Sequence, residues 1–326
     1  MKLLLKIVGV LLAVLVVIAV GVYAWASMVT GRMRAQVFTT HSVDFPIPFP
    51  LDPEEVAAQQ LTPEAAATLA QERAVERGKH LVSARYPCIA CHSENFGGGV
   101  MVDAFPIGSL LAPNVTLGTG SRTANYKPSD WDRIVRHGVL PNGQPAVMPS
   151  EDFAKMSDQE LSDIVSYIRT LPPVNNTIAT STFGPLGKVL VATGQMHFSA
   201  AAITDHSPTH LLHPPDSSDS VEFGKHLSGT CMGCHGADFS GGPVPGGDPS
   251  WPPARNLTPD ATGLKGWTYD QFITAVAESK RPDGSALRPP MTFMAPFGQK
   301  MTDLERQALW AYLQSLPPVQ KTIASN

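Results

Sequence analysis

The chain has no excess of basic charge and no cysteine to spare. Its 326 residues hold 24 Lys and Arg against 28 Asp and Glu, a formal net charge of −4. Residues 73–176 carry ten basic and ten acidic side chains, and residues 221–326 carry nine of each. No basic patch of the kind that neutralises phosphates is present, so no nucleic acid is expected as a partner. No ring of lysines advertises docking on an acidic protein either. The usual catalytic fingerprints are missing: there is no Gly-rich nucleotide loop, no H-E-x-x-H and no G-x-S-x-G. The four cysteines are Cys88, Cys91, Cys231 and Cys234, and all of them fall in two short motifs.

Those motifs are Cys88-Ile89-Ala90-Cys91-His92 and Cys231-Met232-Gly233-Cys234-His235. Two thiols at this spacing reach the two vinyl groups of one porphyrin while the adjoining His ligates the iron, which is the pattern of c-type haem attachment. Zinc sites and redox dithiols share the first four positions. Two complete copies with no cysteine left over favour two covalently bound haem c groups, with His92 and His235 as proximal ligands. A low-spin, electron-carrying haem needs a second axial ligand, and His/Met ligation raises its potential. Met148 lies 56 residues after His92, and Met291 lies 56 residues after His235. Proline precedes or follows each Met and stiffens the loop that must hold a thioether against iron. Met294 is the alternate to Met291. Met101, Met156 and Met301 read as packing residues.

The motifs are landmarks in a repeat with a period near 143 residues. Gly78-Lys79-His80-Leu81 precedes the first motif, as Gly224-Lys225-His226-Leu227 precedes the second. Phe96-Gly97-Gly98-Gly99 answers to Phe239-Ser240-Gly241-Gly242, and Ala112-Pro113-Asn114-Val115-Thr116 to Ala254-Arg255-Asn256-Leu257-Thr258. Leu171-Pro172-Pro173-Val174 and Leu316-Pro317-Pro318-Val319 close the two units. Capping boxes at Ser157/Glu160 and Thr302/Glu305 predict the start of the last helix in each unit. Behind them Leu161, Ile164, Ile168 and Leu171 recur at helical spacing, as do Leu304, Ala308 and Tyr312. Shorter helices are expected near Ser129 and Thr268. The intervening stretches, rich in Gly, Pro and Asn, disfavour strands as well as helices. The expected fold class is all-α.

At the N-terminus, Lys2 and Lys6 precede nineteen apolar residues, 7–25, close to the roughly 20 that cross a bilayer as a helix. Tyr23 and Trp25 fall where interfacial aromatics sit. A cleaved signal peptide is the competing reading, since Ala24-Trp25-Ala26 offers an A-x-A site, but the apolar run favours an anchor spanning residues 1–30. Residues 31–72 read as a tether whose alternating prolines, Phe45-Pro46-Ile47-Pro48-Phe49-Pro50, make an extended plain spacer. The first unit is placed at 73–176, a linker at 177–220 and the second unit at 221–326. The linker holds His197, His206, His210 and His213, at spacings that fit no continuous helical face and with Ser207-Pro208 among them. It reads as a segment packed across the units rather than as a metal site. His80 and His226 read as helix surface or propionate neighbours.

These residues resemble class I cytochrome c domains, and specifically the membrane-anchored multihaem cytochromes c of bacteria. The resemblance covers roughly residues 73–176 and 221–322. It implies two tandem class I domains behind one N-terminal transmembrane helix, with His92/Met148 and His235/Met291 as axial pairs. It also implies that Gly78 and Gly224 are the close contacts with the final helices. The second unit departs from the pattern, because Met291 is followed by Thr292 rather than proline. The implied role is an electron carrier on a bacterial cytoplasmic membrane, with the haem domains in the periplasm. Partners would be a quinol-oxidising complex, a dehydrogenase, a terminal oxidase or a photosynthetic reaction centre. A dihaem peroxidase with one labile ligand, or a non-catalytic subunit of a larger redox complex, is the alternative.

Overall fold

The computed structural model describes residues 1–321 except 42, 208, 246 and 249. Pro208 of the linker and residues 322–326 of the expected second unit therefore lie outside the described residues.

The N-terminal segment is a single 34-residue helix, Lys2–Ala35. At 1.5 Å per residue it is about 51 Å long, well beyond the roughly 30 Å of a bilayer's hydrocarbon core. Its residues through Trp25 are exposed, and among the described residues it alone is long and apolar enough to cross a membrane. Burial begins at Ala26 and Thr30, where the helix meets a short linker helix, Pro185–Ala192. There Thr30 Oγ1 donates to the Lys188 carbonyl at 3.2 Å, and the Lys188 ammonium reaches the Tyr23 and Ser27 hydroxyls at 3.1 and 3.3 Å.

The segment after this helix is more than a plain spacer. Phe45 and Phe49 are buried in the core of the first unit, and Ile47 packs against the same core. Phe45 also lies over the buried Arg136 guanidinium, 5.7 Å from its ring centre, while Ser162 Oγ donates to the Pro46 carbonyl at 2.7 Å. The prolines set the backbone, but the aromatic residues between them are too apolar to remain in water. A short helix, Pro53–Ala58, follows. The helix that opens the first unit then starts at Pro63, capped by Thr62, and runs unbroken to His80, so it crosses the expected boundary at 72.

Both units have the same frame. An opening helix (Pro63–His80 or Val221–Leu227) crosses a closing helix (Asp158–Thr170 or Asp303–Ser315). Each closing helix starts where its capping box is satisfied. Ser157 Oγ accepts the Glu160 N–H at 3.2 Å and Glu160 accepts the Ser157 N–H at 2.9 Å; Thr302 and Glu305 repeat the exchange at 3.2 and 2.7 Å. Leu161, Ile164, Val165 and Ile168 face one core, and Leu309 and Leu313 the other. At the crossing, a Cβ on Gly78 would overlap the Asp163 carbonyl and stand 2.8 Å from Tyr167 Cβ. One on Gly224 would overlap the Ala308 carbonyl and stand 2.8 Å from Tyr312 Cβ. The two tyrosines then meet Phe96 and Phe239 edge-on, with ring centres 6.3 and 5.7 Å apart.

The fold is mainly helical, with one departure. Strands β1 (Gly99–Ala104) and β2 (Gly108–Ala112) form an antiparallel hairpin in the first unit, and β3 (Thr182–Phe183) from the linker adds to the β2 edge. Val100 faces Leu111 and Val102 faces Leu110 across the pair, so glycine and proline are confined to the ends while apolar residues pair between them. Met101 falls at the register irregularity between Val100 and Val102. It is 37 % exposed, not the packing residue its composition suggested. Met156, at 1 %, is fully buried.

The crossing glycines give the first test. Gly78→Ala and Gly224→Ala should each destabilise their own unit by about 1–3 kcal/mol through overpacking. That corresponds to roughly 4–8 °C of Tm per kcal/mol for a unit of this size. Gly9→Ala, with nothing near its Cβ, should leave melting of the haem absorbance unchanged. An unaltered Tm in both crossing variants would remove the close-contact assignment.

Candidate haem centres

Each C-x-x-C-H segment folds as a single helical turn, Cys88–His92 and Met232–His235. The chain then leaves sharply through positive φ, at Ser93 (φ 65°) and Gly236 (φ 78°). His92 Nδ1 lies 2.9 Å from the Pro113 carbonyl oxygen, and His235 Nδ1 lies 2.7 Å from that of Arg255. A carbonyl can only accept, so Nδ1 carries the proton and Nε2 keeps its lone pair, the tautomer a metal ligand requires. Burial lowers the pKa of both imidazoles against the opposing pull of the carbonyl bond, which keeps them neutral.

A second layer holds those carbonyls in place. Asn114 Nδ2 donates to the Val174 carbonyl at 2.6 Å, its Oδ1 accepts the Thr116 N–H at 3.0 Å, and Thr116 Oγ1 accepts the Val174 N–H at 3.0 Å. Asn256, Thr258 and Val319 make the same three bonds at 2.7, 2.9 and 3.1 Å. The Leu-Pro-Pro-Val segment that ends each unit is therefore tied back over the Asn-x-Thr loop. Sequence reasoning found Asn-x-Thr as a landmark but missed the residue before it. That position is Pro113 in one unit and Arg255 in the other, because only its backbone acts.

Cys88 and Cys231 are half-buried, and desolvation together with the neighbouring thiol pushes each up to about 12. Burial also raises Cys91 and Cys234. Such apolar surroundings are the opposite of those that activate redox dithiols or thiolate ligands. The donor set, two thiols beside one neutral imidazole with a free Nε2, fits haem c and does not fit a zinc knuckle.

The methionines differ between units. Met148 packs against the same core as Cys88 and Ile89, and its carbonyl accepts the Ser199 hydroxyl at 2.5 Å. In the second unit Met301, Cys231 and Met232 pack on the core. Met291 opens a 3₁₀ turn, Met291–Phe293, and Met294 caps the next helix, Ala295–Lys300. The shared 56-residue step hides two compensating changes. The middle helices, Pro128–His137 and Tyr269–Glu278, are related by an offset of 141, as are the bridges Val139–Pro145 and Lys280–Ala286 that follow them. The motifs are offset by 143. The second unit is thus two residues shorter before its middle helix and two longer before its Met.

A family model for cytochrome c matches residues 75–172 and 221–317. The chain belongs to the cytochrome c family. Its two units each bind one haem c covalently. The cytochrome is similar to the cytochrome c subunit of the quinone alcohol dehydrogenase of Gluconacetobacter polyoxogenes, 28 % identical over 79 % of this chain and 58 % of that subunit. It is also similar to a dihaem c-type cytochrome of Cereibacter sphaeroides, 22 % identical over 65 % of this chain and 73 % of that protein. The gluconate 2-dehydrogenase cytochrome c subunit of Pantoea cypripedii is 36 % identical over 31 % of this chain and 25 % of its own length. The chain thus spans a little over half the length of the alcohol dehydrogenase subunit.

The two units of the cytochrome meet through a reciprocal exchange that the sequence reading missed. His80 of the first unit bonds Glu305 of the second at 2.8 Å, and His226 of the second bonds Glu160 of the first at 2.8 Å. Each histidine thus reaches the capping-box glutamate of the other unit rather than open surface. Arg85 sits between the pairs. It bonds Glu160 at 3.2 Å, pairs with Glu305, and lies 5.1 Å from the Phe223 ring centre. The signal was present as two matched histidines and two matched glutamates in the repeat. A second contact joins the haem loops. The Ser150–Asp152 turn, just past Met148-Pro149, packs on the second motif so closely that a Cβ on Gly233 would overlap Asp152. Burial, with the charge of Glu151, pushes the Asp152 carboxyl up to about 7.

The interface carries a pH signature. Burial would raise the pKa of Glu305, but the His80 hydrogen bond and the Arg85 charge overcome it and hold the carboxyl at about 2. Because this lies below the unfolded value of about 4.3, Glu305 contributes stability that is complete above that value and is lost as pH falls toward 2. Denaturant midpoints measured across pH 5 to 2 should fall less steeply in Glu305→Gln than in the parent. Parallel slopes would show that the carboxylate does not link the units.

Proposed function

We propose that this cytochrome takes electrons from a membrane-bound dehydrogenase and passes them through two haems in series, ligated by His92/Met148 and His235/Met291. The observation that carries the relay is the contact of the Ser150–Asp152 turn with Gly233. It sets the loop bearing one proposed axial Met directly on the attachment turn of the other unit. Haem c supplies the one-electron couple at each station. The chain contributes fixed Nδ1–carbonyl bonds that orient each His, buried apolar walls, and an interface that keeps the separation short. The names of the similar subunits favour a dehydrogenase as donor over the other partners expected from sequence. We place the haem units in the periplasm, since c-type haem is attached outside the cytoplasmic membrane, and the 34-residue helix Lys2–Ala35 in the bilayer.

Two measurements test this. Purified from its own membranes in detergent, the cytochrome should carry a dehydrogenase whose substrate reduces both haems. Isolation alone, with reduction by quinol only, would overturn the donor assignment. Met148→Ala and Met291→Ala should each convert one haem to a high-spin form in oxidised spectra and lower its potential, while Met294→Ala leaves both low-spin. High-spin conversion by Met294→Ala instead would move the second ligand to that residue.

A further inference from the structure

The first unit carries a second cluster of metal-binding side chains that the haem chemistry does not use. Three imidazoles come from three separate segments: His41 from residues 31–72, His137 from the end of the helix Pro128–His137, and His210 from the linker. Asp132 joins them from the same helix as His137. One atom from each lies within 4.8 Å of all the others. His210 Nε2 is 3.3 Å from His137 Nε2, and His41 Nε2 is 3.4 Å from Asp132 Oδ2. The His210 and His137 Nε2 atoms are 3.7 and 3.8 Å from Asp132 Oδ1. A tetrahedral zinc with bonds of about 2.0–2.1 Å spaces its ligand atoms about 3.3–3.4 Å apart. Two of these pairs already have that spacing, and with all four ligand atoms within 4.8 Å of one another the rest close on a single ion by contraction, Asp132 turning one oxygen toward it.

Hydrogen bonds on the far side of each ring fix which nitrogen faces the centre. His41 Nδ1 donates to the His206 carbonyl at 3.0 Å. His206 Nε2 donates to the Ala200 carbonyl at 3.0 Å, so its Nδ1 is the acceptor for the His137 Nδ1–H at 3.1 Å. His210 has a backbone bond to Ala154. The His41 and His137 Nε2 lone pairs therefore point inward, beside His210 Nε2 and a carboxylate, with no proton assigned between them. His41 Nε2 and Asp132 Oδ2 are buried without a hydrogen-bond partner, a costly arrangement unless something electropositive sits there. Arg136 does not neutralise it. Its guanidinium holds Asp132 Oδ1 at 2.6 Å but is shared with Asp158 at 2.7 Å, so two carboxylates flank one positive charge.

We propose that His41, His137, His210 and Asp132 bind one zinc ion in a closed, four-ligand site that clasps residues 31–72 and the linker to the first haem unit. Three imidazoles and a carboxylate are a donor set suited to zinc, and the protein supplies all four positions, which makes the site structural. The second unit is an internal control. At the 141-residue offset of the middle helices, Ile273 stands in place of Asp132 and Glu278 in place of His137. The cluster is therefore not part of the haem scaffold itself.

The full-length haem-loaded cytochrome, purified in detergent, should be assayed for zinc and iron by elemental mass spectrometry. The assay should be run as isolated, after treatment with a zinc chelator, and after addition of zinc sulfate and desalting. The proposal expects about one zinc for every two irons in the parent, with a nitrogen and oxygen shell at about 2.0–2.1 Å in zinc-edge absorption. His137→Ala and His210→Ala should lose the zinc while keeping both haem irons. His41→Gln, which keeps a polar side chain at a half-buried position, should weaken zinc retention by at least about tenfold even if the alanine variants fold poorly. His197→Ala and His213→Ala, linker histidines bonded instead to Glu151 and Gln159, should retain it. A parent that keeps no zinc after reconstitution would overturn the site, as would zinc that persists in His137→Ala, His210→Ala and His41→Gln alike.

Discussion

The crossing of first and last helix at a residue without a side chain sets everything downstream in each unit. With Gly78 against the Asp163 carbonyl and Gly224 against that of Ala308, the two backbones approach to a distance no Cβ allows. That fixes where the closing helix ends and hence where the Leu-Pro-Pro-Val segment can go. The segment reaches Asn114 or Asn256, whose amide holds the Val174 or Val319 carbonyl. The loop so restrained presents the Pro113 or Arg255 carbonyl to the histidine of the attachment motif. The tautomer of the proposed iron ligand is thus set, through four links, by a glycine on another helix. Helix packing and ligand chemistry are one system here, which is why a small unit with a modest core can hold an imidazole at a defined angle.

The other end of the closing helix does double service. A capping glutamate normally spends its carboxylate on its own helix start. Glu305 does so with Oε2 and uses Oε1 to receive His80, while Glu160 caps with Oε2 and is reached by His226 at both oxygens, at 3.0 Å to Oε1 and 2.8 Å to Oε2. Duplicating a domain duplicates both donor and acceptor, so a two-fold-like contact arises without new residue types, as in an isologous dimer. Arg85 breaks that symmetry. It lies in a stretch where the first unit has seven residues between His80 and Cys88 and the second has four between His226 and Cys231. One guanidinium then serves two carboxylates that would otherwise repel.

Much of this was legible in the sequence. The two attachment motifs, the capping boxes, the crossing glycines and the repeat itself are carried by side-chain identity at fixed spacing, and each fell where it was expected. What was not legible acts through backbone or through distant segments. The Pro113 and Arg255 carbonyls leave no residue signature. The hairpin of residues 99–112 was hidden because its glycines and prolines suggested loop, although Val100, Val102, Leu110 and Leu111 pair across it. The Phe45-to-Pro50 run was read from its prolines, and its buried rings were passed over. The linker's His206 and His210 fit no helical face because their partners, His41 and His137, lie far away in sequence. The equal step from His to Met came from two opposite length changes, which spacing alone cannot separate.

The two units therefore share a scaffold but not an environment. Residues 45–49, the strand Thr182–Phe183 and the helix Ser199–Ala202 all pack on the first unit or its Met148 loop. Among the described residues the second core cluster holds five buried apolar residues against fourteen in the first. Near its proposed Met ligand, Phe293 is 59 % exposed, and Trp251 lies edge-on to it at 6.2 Å. Haem potentials respond to burial, to hydrogen bonding around the ligands and to solvent access, even when the axial atoms are the same. Both proximal sides carry the same kind of Nδ1–carbonyl bond, at 2.9 and 2.7 Å, so the two sites differ chiefly in these surroundings. Duplication supplied two matched sites, and the unequal wrapping of the chain around them gives each its own burial and solvent access.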